Sequence, residues 1–244
     1  GIGKACVGHD AGLSLAVVAE AAGLEDRLAA QLLHGRLELF LVVDGAERCG
    51  ADALLAAAGF YNRPGQDGLY AHFESLHNNT SLPIYLYNIP SRTIVDIAPE
   101  TIAKLAKLPR IVGVKDASKE LSHISRERQL IQQPFGYLSG EDMTAVAYNA
   151  QGGVGCISVT ANVVPQMCSQ LQQACVAGDF KRALTIQDQL TPLHEALFLE
   201  PSPSGIKYAV SLLGKCSDEV RVPMMPLQQS TKQRIEEALK TLAL

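Results

Sequence analysis

A short apolar run that ends in a lysine, Ile111-Val112-Gly113-Val114-Lys115-Asp116-Ala117-Ser118, constrains this chain more than any other stretch. β-Branched residues without polar alternation are what a strand buried on both faces requires, and such strands belong to parallel sheets. The carboxyl end of the run delivers one amine, with small residues directly after it. Held against Val112 and Val114, that amine is expected to lose water, which disfavours its charged form and draws its pKa toward neutrality. A neutral lysine at a strand end is what Schiff-base chemistry on a ketone needs. An ordinary solvated lysine has the same local sequence, so the rest of the chain has to decide.

From Cys49 onward the pattern repeats. Ala53 to Ala58, Pro83 to Asn88, Ile111 to Lys115, Phe135 to Gly140 and Gly153 to Val159 read as strands. Helical patterns separate them: Gly68 to His77, Pro99 to Lys107, Glu120 to Gln132 and Glu141 to Gln151. Pro99 opens its helix at the position where a missing N–H does no harm. After Asn162 only helical stretches remain, over 163–177, 179–198, 204–213 and 226–243. Strand–helix alternation of this length implies right-handed βαβ units and a parallel sheet. Every strand ends in polar or glycine residues, which suits an α/β fold of the (β/α)8 TIM-barrel type, whose site lies at the carboxyl ends of its strands. A doubly wound sheet is the other arrangement, but its phosphate-binding glycine loop is missing.

Residues 1–50 are less regular. Leu13 to Ala30, rich in Ala, Leu and Glu, predicts a helix; Leu37 to Val43 fits a strand or a buried helix equally well. The expected division is a barrel over 1–162, atypical over 1–50, and a helical extension over 163–244.

Composition narrows the function. A 244-residue chain with 47% hydrophobic residues can bury one large core. A net charge of −4 without a basic stripe argues against nucleic acid. No apolar run approaches membrane-spanning length, and the first residues lack a signal-peptide layout. The six cysteines (6, 49, 156, 168, 175 and 216) show neither a C-x-x-C pair nor zinc spacing. The expectation is a cytoplasmic protein of a reducing compartment, with no metal.

Over residues 51–244 the chain resembles the dihydrodipicolinate synthase / N-acetylneuraminate lyase family of class I aldolases. The resemblance is carried by GFYNRPGQDGLYAHF, LPIYLYNIPSRT, IVGVKDAS, YLSGEDM, GGVGCISVTANV and PLHEALFLEPSPSGIKYA, in the family's order and spacing. Tyr87 to Arg92 is similar to the synthase branch. This likeness implies that Lys115 forms an imine with pyruvate, with no separate cofactor. It implies Tyr87 as the proton shuttle and Tyr61 as a relay residue reaching across a dimer interface. Arg92 would hold the carboxylate of the second substrate, L-aspartate-β-semialdehyde, through a planar fork that lysine cannot copy. Gly140 and Ile157 would line the pyruvate pocket. The reaction implied is the lyase that makes 4-hydroxy-tetrahydrodipicolinate for lysine and diaminopimelate synthesis, in a homo-oligomer of two or four chains.

One departure bears on this. The family's Gly-Thr-Thr-Gly-Glu motif, whose threonines hold the pyruvate carboxylate and link the relay, occurs nowhere in the sequence. Residues 1 to about 36 do not resemble the segment that follows it, and similarity resumes clearly at Ala46 to Asp52. The expectation is a family member with its N-terminal barrel strands missing or replaced, and with condensation slowed at least about a hundredfold by loss of a preorganised donor set. Phe60 stands where the family's lysine-feedback site commonly has a tyrosine. The alternatives are a pyruvate-dependent aldolase for another aldehyde, or an impaired paralogue that serves as an oligomer partner.

Overall fold

The computed structural model describes residues 15–18, 50–59 and 62–243. Among the described residues six strands form one parallel sheet: β1 (Leu15–Val18), β2 (Ala53–Ala57), β3 (Ile84–Asn88), β4 (Ile111–Asp116), β5 (Gly136–Ser139) and β6 (Gly155–Cys156). Their order in the sheet is their order in the chain. Consecutive right-handed crossovers keep every connecting helix on the same side, so the other side faces inward. A doubly wound sheet would need its order to reverse, to place helices on both faces. The consecutive order therefore selects the (β/α)8 barrel type.

Between the strands lie α1 (Gln66–Asn78), the single turn α2 (Pro90–Thr93), α3 (Pro99–Leu105), α4 (Ser122–Leu130) and α5 (Ala145–Ala150). These sit within a few residues of the periodic segments expected from the sequence. Two readings change. Leu15–Val18 is a strand, paired in parallel with Ala53–Ala56, where local composition predicts helix. A four-residue apolar run carries too little periodicity to separate the two states, and the neighbouring strand's hydrogen bonds decide it. The remainder of 13–30 and the run 37–43 lie outside the described residues. The last strand is also short: only Gly155–Cys156 pair with β5, because Ile157 onward bends into a 3-10 turn at Thr160–Asn162.

Alternation along each strand sorts side chains onto two faces. Outward, Leu54, Ala56, Ile84, Leu86, Ile111 and Val114 pack against Phe73, Ile102, Leu105 and Ile124 of the helices. Inward, Ala53, Leu55, Leu138 and Ile157 form a smaller cluster with Tyr85 and Tyr87. Gly113 is required on this inner face. A Cβ there would collide with the Tyr85 ring and with the carbonyl oxygen of Gly136, so the bare backbone lets Tyr85 lie across two strands.

Four helices follow the sheet: α6 (Pro165–Val176), α7 (Phe180–Ala196), α8 (Ser204–Leu212) and α9 (Gln229–Thr241). They share an apolar core that includes Leu171, Leu190, Leu193, Ala209 and Ile235. Polar bonds tie this core to the sheet. The Asp142 carboxylate accepts from the backbone N–H groups of Val159 (2.9 Å) and Thr160 (3.2 Å). Gln187 of α7 donates to the Asp142 carbonyl, and the Thr160 hydroxyl lies 2.7 Å from Nδ1 of His194. Among the described residues no helix is long and apolar enough to cross a membrane.

Candidate active site

Lys115 is the penultimate residue of β4 and sits between Tyr87 of β3 and Leu138 of β5 in the sheet register. Its side chain points inward and is 92% buried, with 8% exposed. Val112 and Val114 have the opposite parity, and Val114 packs in the outer core, so neither dehydrates the amine as the local sequence suggested. The neighbouring strands do so instead. The Lys115 Nζ lies 4.1 Å from the centroid of the Tyr87 ring, on its π face. Burial lowers the amine to about 8, opposed by Cys156 and Asp142. Cys156 is itself driven well above the usual thiol range by burial and stays protonated, which leaves the Asp142 carboxylate as the opposing group. An amine at 8 is free base in roughly a quarter of molecules at pH 7.5, against about one in a thousand for an unperturbed lysine.

Tyr87 is partly buried, and its phenol is raised, chiefly by burial, with Arg92 pulling it down and Glu141 pushing it up. It therefore holds its proton at neutral pH and can donate it to an oxygen leaving beside Lys115. The ring face stabilises the charged amine, and the hydroxyl can serve as an acid–base group.

Gly140 follows β5 directly, and its N–H donates to the Asp116 carbonyl at 2.6 Å. A Cβ at this position would lie 3.0 Å from Lys115 Cε, 2.9 Å from Ala117 Cβ and 3.1 Å from the Asp116 carbonyl oxygen. The glycine makes room for the lysine stem. We expect Gly140→Ala to displace the amine and to reduce imine formation by about tenfold or more, given the steep dependence of such reactions on placement; the measurement is the rate of reductive trapping. Wild-type trapping kinetics in that variant would show that the stem relaxes freely. Ile157 donates its N–H to the Ser139 carbonyl (2.9 Å) and places its buried side chain in the inner cluster.

Arg92 sits apart from this group. It lies on the single turn α2, just beyond the end of β3, and is exposed at the rim. The Thr93 hydroxyl fastens that turn through the carbonyls of Ile89 (3.0 Å) and Val95 (2.9 Å). Its charge still reaches Tyr87. Tyr61 and Phe60 lie outside the described residues. The structure thus gathers Lys115, Tyr87 and Gly140, with Ile157 on the same inner face and Arg92 at the mouth.

Asp142 and Cys156 had no assigned role in the sequence. Both stand within recognised motifs, but strand parity brings Cys156, and the fold back after β6 brings Asp142, behind Lys115. The Asp142 carboxylate lies 4.0 Å from the Cys156 thiol as well as on the Val159 and Thr160 amides.

Comparison with known proteins settles the family. Residues 42–242 match the model of the Dihydrodipicolinate synthetase family. The chain belongs to that family. It is 52% identical to the 4-hydroxy-tetrahydrodipicolinate synthase of Ruegeria pomeroyi over 224 residues, covering 92% of this chain and 77% of the relative. That span necessarily enters the segment before residue 36, so likeness to this relative extends into a stretch where the motifs alone do not reveal it. Among solved structures, dihydrodipicolinate synthase from Aquifex aeolicus aligns with a TM-score of 0.82 at 36% identity, covering 84% of this chain and 70% of the other. The chloride-inhibited synthase from Acinetobacter baumannii, complexed with pyruvate, aligns with a TM-score of 0.81 at 34% identity, covering 84% and 70%. Likeness at this level makes the chain an enzyme of the 4-hydroxy-tetrahydrodipicolinate synthase type, with the barrel fold of its family.

Proposed function

We propose that the chain condenses pyruvate with L-aspartate-β-semialdehyde through an imine on Lys115, without an external cofactor. The observation that carries this reading is the buried Lys115 amine, lowered to about 8 and lying on the face of Tyr87 in an enzyme of this family. The pyruvate complex of the Acinetobacter baumannii relative supports the ketone donor.

The neutral amine attacks the ketone carbon of pyruvate, forming a C–N bond, and the former carbonyl oxygen takes up a proton. Tyr87 donates a second proton as water leaves and the iminium forms. The iminium is itself the electron sink: the Tyr87 phenolate takes a methyl proton, the resulting enamine carbon attacks the aldehyde of the second substrate, whose oxygen takes up that proton, and attack of water or of the acceptor's own amine on the regenerated iminium frees Lys115. Gly140 keeps the lysine stem free to approach, and Ile157 closes the apolar wall on the pyruvate side. Tyr61 completes the proton relay from a second copy of the chain, so the enzyme works as a cytoplasmic homo-oligomer.

Arg92 recognises the carboxylate of the acceptor. Its exposure at the mouth leaves the guanidinium fork available for two charge-assisted hydrogen bonds. Arg92→Ala should lower kcat/KM for the semialdehyde roughly 10- to 100-fold, the equivalent of about 1.5–3 kcal/mol of bonding to a charged group, while pyruvate trapping changes little. A coupled steady-state assay run beside trapping separates the two steps. Equal damage to both would remove Arg92 from acceptor recognition, and no condensation with the semialdehyde by the parent chain would overturn the reading.

A further inference from the structure

On the outer face of β4, away from the pyruvate site, three metal-ligating side chains converge. Asp116 ends the strand with the parity of Val114, so its side chain faces the helices and not the barrel interior. His123 and Glu127 stand four residues apart on α4 and therefore share one face of that helix. One donor atom from each of the three lies within 4.8 Å of the others.

The state of Glu127 points to a ligand. Its side chain is fully buried, and among the described residues neither carboxylate oxygen has a hydrogen-bond partner. Nδ1 of His123 is likewise buried and unpartnered. Buried polar atoms in folded proteins nearly always have partners, because desolvation without compensation is costly. Neighbouring groups leave the trio open to a cation. Asp116 Oδ1 is committed to the Ser118 N–H (2.7 Å), which leaves its second oxygen. Asp96, with a half-exposed side chain, places Oδ2 3.6 Å from His123 Nε2 and is held by the Asn88 amide at 2.7 Å. It adds a carboxylate at the entrance.

We propose that Asp116, His123 and Glu127 bind one Zn²⁺ ion, which fastens α4 to the tip of β4. An imidazole with two carboxylates suits zinc, whereas magnesium and calcium favour all-oxygen sets and copper(I) favours sulfur. Zinc at 2.0–2.2 Å from each ligand needs donors about 3.4 Å apart, so binding requires the three donors, now within 4.8 Å of one another, to draw together. The ion touches no reacting atom. It holds the residue next to Lys115, and so acts on the fold of the strand end.

The test is direct zinc binding by the full chain, stripped with a chelator and titrated with ZnCl2 against a chromophoric competitor. One equivalent per chain is expected, with a rise in the thermal midpoint. His123→Gln and Glu127→Gln should each weaken binding at least about tenfold, since losing even an outer-shell partner costs 10- to 100-fold, and Glu127→Gln should abolish the thermal rise. His123 is only partly buried, so its variant decides the matter should Glu127→Gln fold poorly. Cys216→Ser tests the exposed thiol as a rival ligand and should leave binding intact. Absence of a stoichiometric site, parent-like affinity in both ligand variants, or loss of binding in Cys216→Ser alone overturns the proposal.

Discussion

Borohydride reduction in the presence of pyruvate should leave a covalent adduct on the peptide that contains Lys115, and Lys115→Ala should lose both the adduct and turnover. The expected fall in kcat is on the order of 10³-fold or more, as for removal of other covalent nucleophiles. The expectation rests on exclusivity. Elsewhere among the described residues, Lys119 is paired with Glu141 at 3.3 Å and Lys232 with Asp218 at 3.7 Å. Among the described residues Lys115 is the one buried lysine, and it combines that burial with a lowered pKa and a Tyr87 ring whose centroid lies 4.1 Å from its amine. A substitution to alanine leaves a small gap between Gly140 and Tyr87, and the outer core is untouched, so the variant should fold. Mass spectrometry of the reduced protein locates the adduct. Modification of another lysine, Lys207 for example, would move the chemistry elsewhere.

The same burial that prepares the amine opposes folding, and this gives the second large effect. Lys115→Met should stabilise the chain at pH 7. The folded-state pKa of about 8 lies below the ordinary lysine value of 10.5, so the unfolded chain binds more protons between those two limits. Stability of the parent therefore rises with pH across the window from about 8 to 10.5, and the full penalty applies below it. The shift corresponds to roughly 3 kcal/mol, or about 6–12 °C in midpoint for a chain of this size. Methionine removes the charge and retains an apolar side chain of similar length. The advantage of the variant should be greatest at pH 7 and small near pH 10.5. Thermal unfolding of both proteins at the two pH values measures it. A difference that does not change with pH would assign the gain to packing alone.

The effects of these two substitutions come from one residue because the site is built on a strand end. The strand delivers Lys115 inward by parity, and Tyr87 reaches it because β3 and β4 pair in the register Tyr87↔Lys115. Gly140 and Gly113 serve the same end at two levels of the barrel. One lets the lysine stem pass; the other lets the Tyr85 ring lie flat across its neighbours.

Much of the fold is legible in the sequence alone. The runs at Ala53, Ile84 and Ile111 are short, apolar and bounded by turn residues, while the helices from Gln66 onward carry their own periodicity. Such signals are local, and local sequence contains them in full. The order and spacing of the motifs also led to the family, and named Lys115, Tyr87 and Gly140 as candidates. What escaped depends on pairing between distant segments. Leu15–Val18 is extended because Ala53–Ala56 supply its hydrogen bonds, although its composition reads as helix. Lys115 loses water to Tyr87 and its surroundings on other strands, since Val112 and Val114 face away. Asp142 comes to lie beside Cys156 only because the chain folds back after β6. The meeting of Asp116 with His123 and Glu127 follows from the way α4 docks on the sheet. Spacing on one helix predicts that His123 and Glu127 share a face, but not which strand that face meets. Period and composition act through neighbours in the chain; register, burial and the company of a charge are set by neighbours in space.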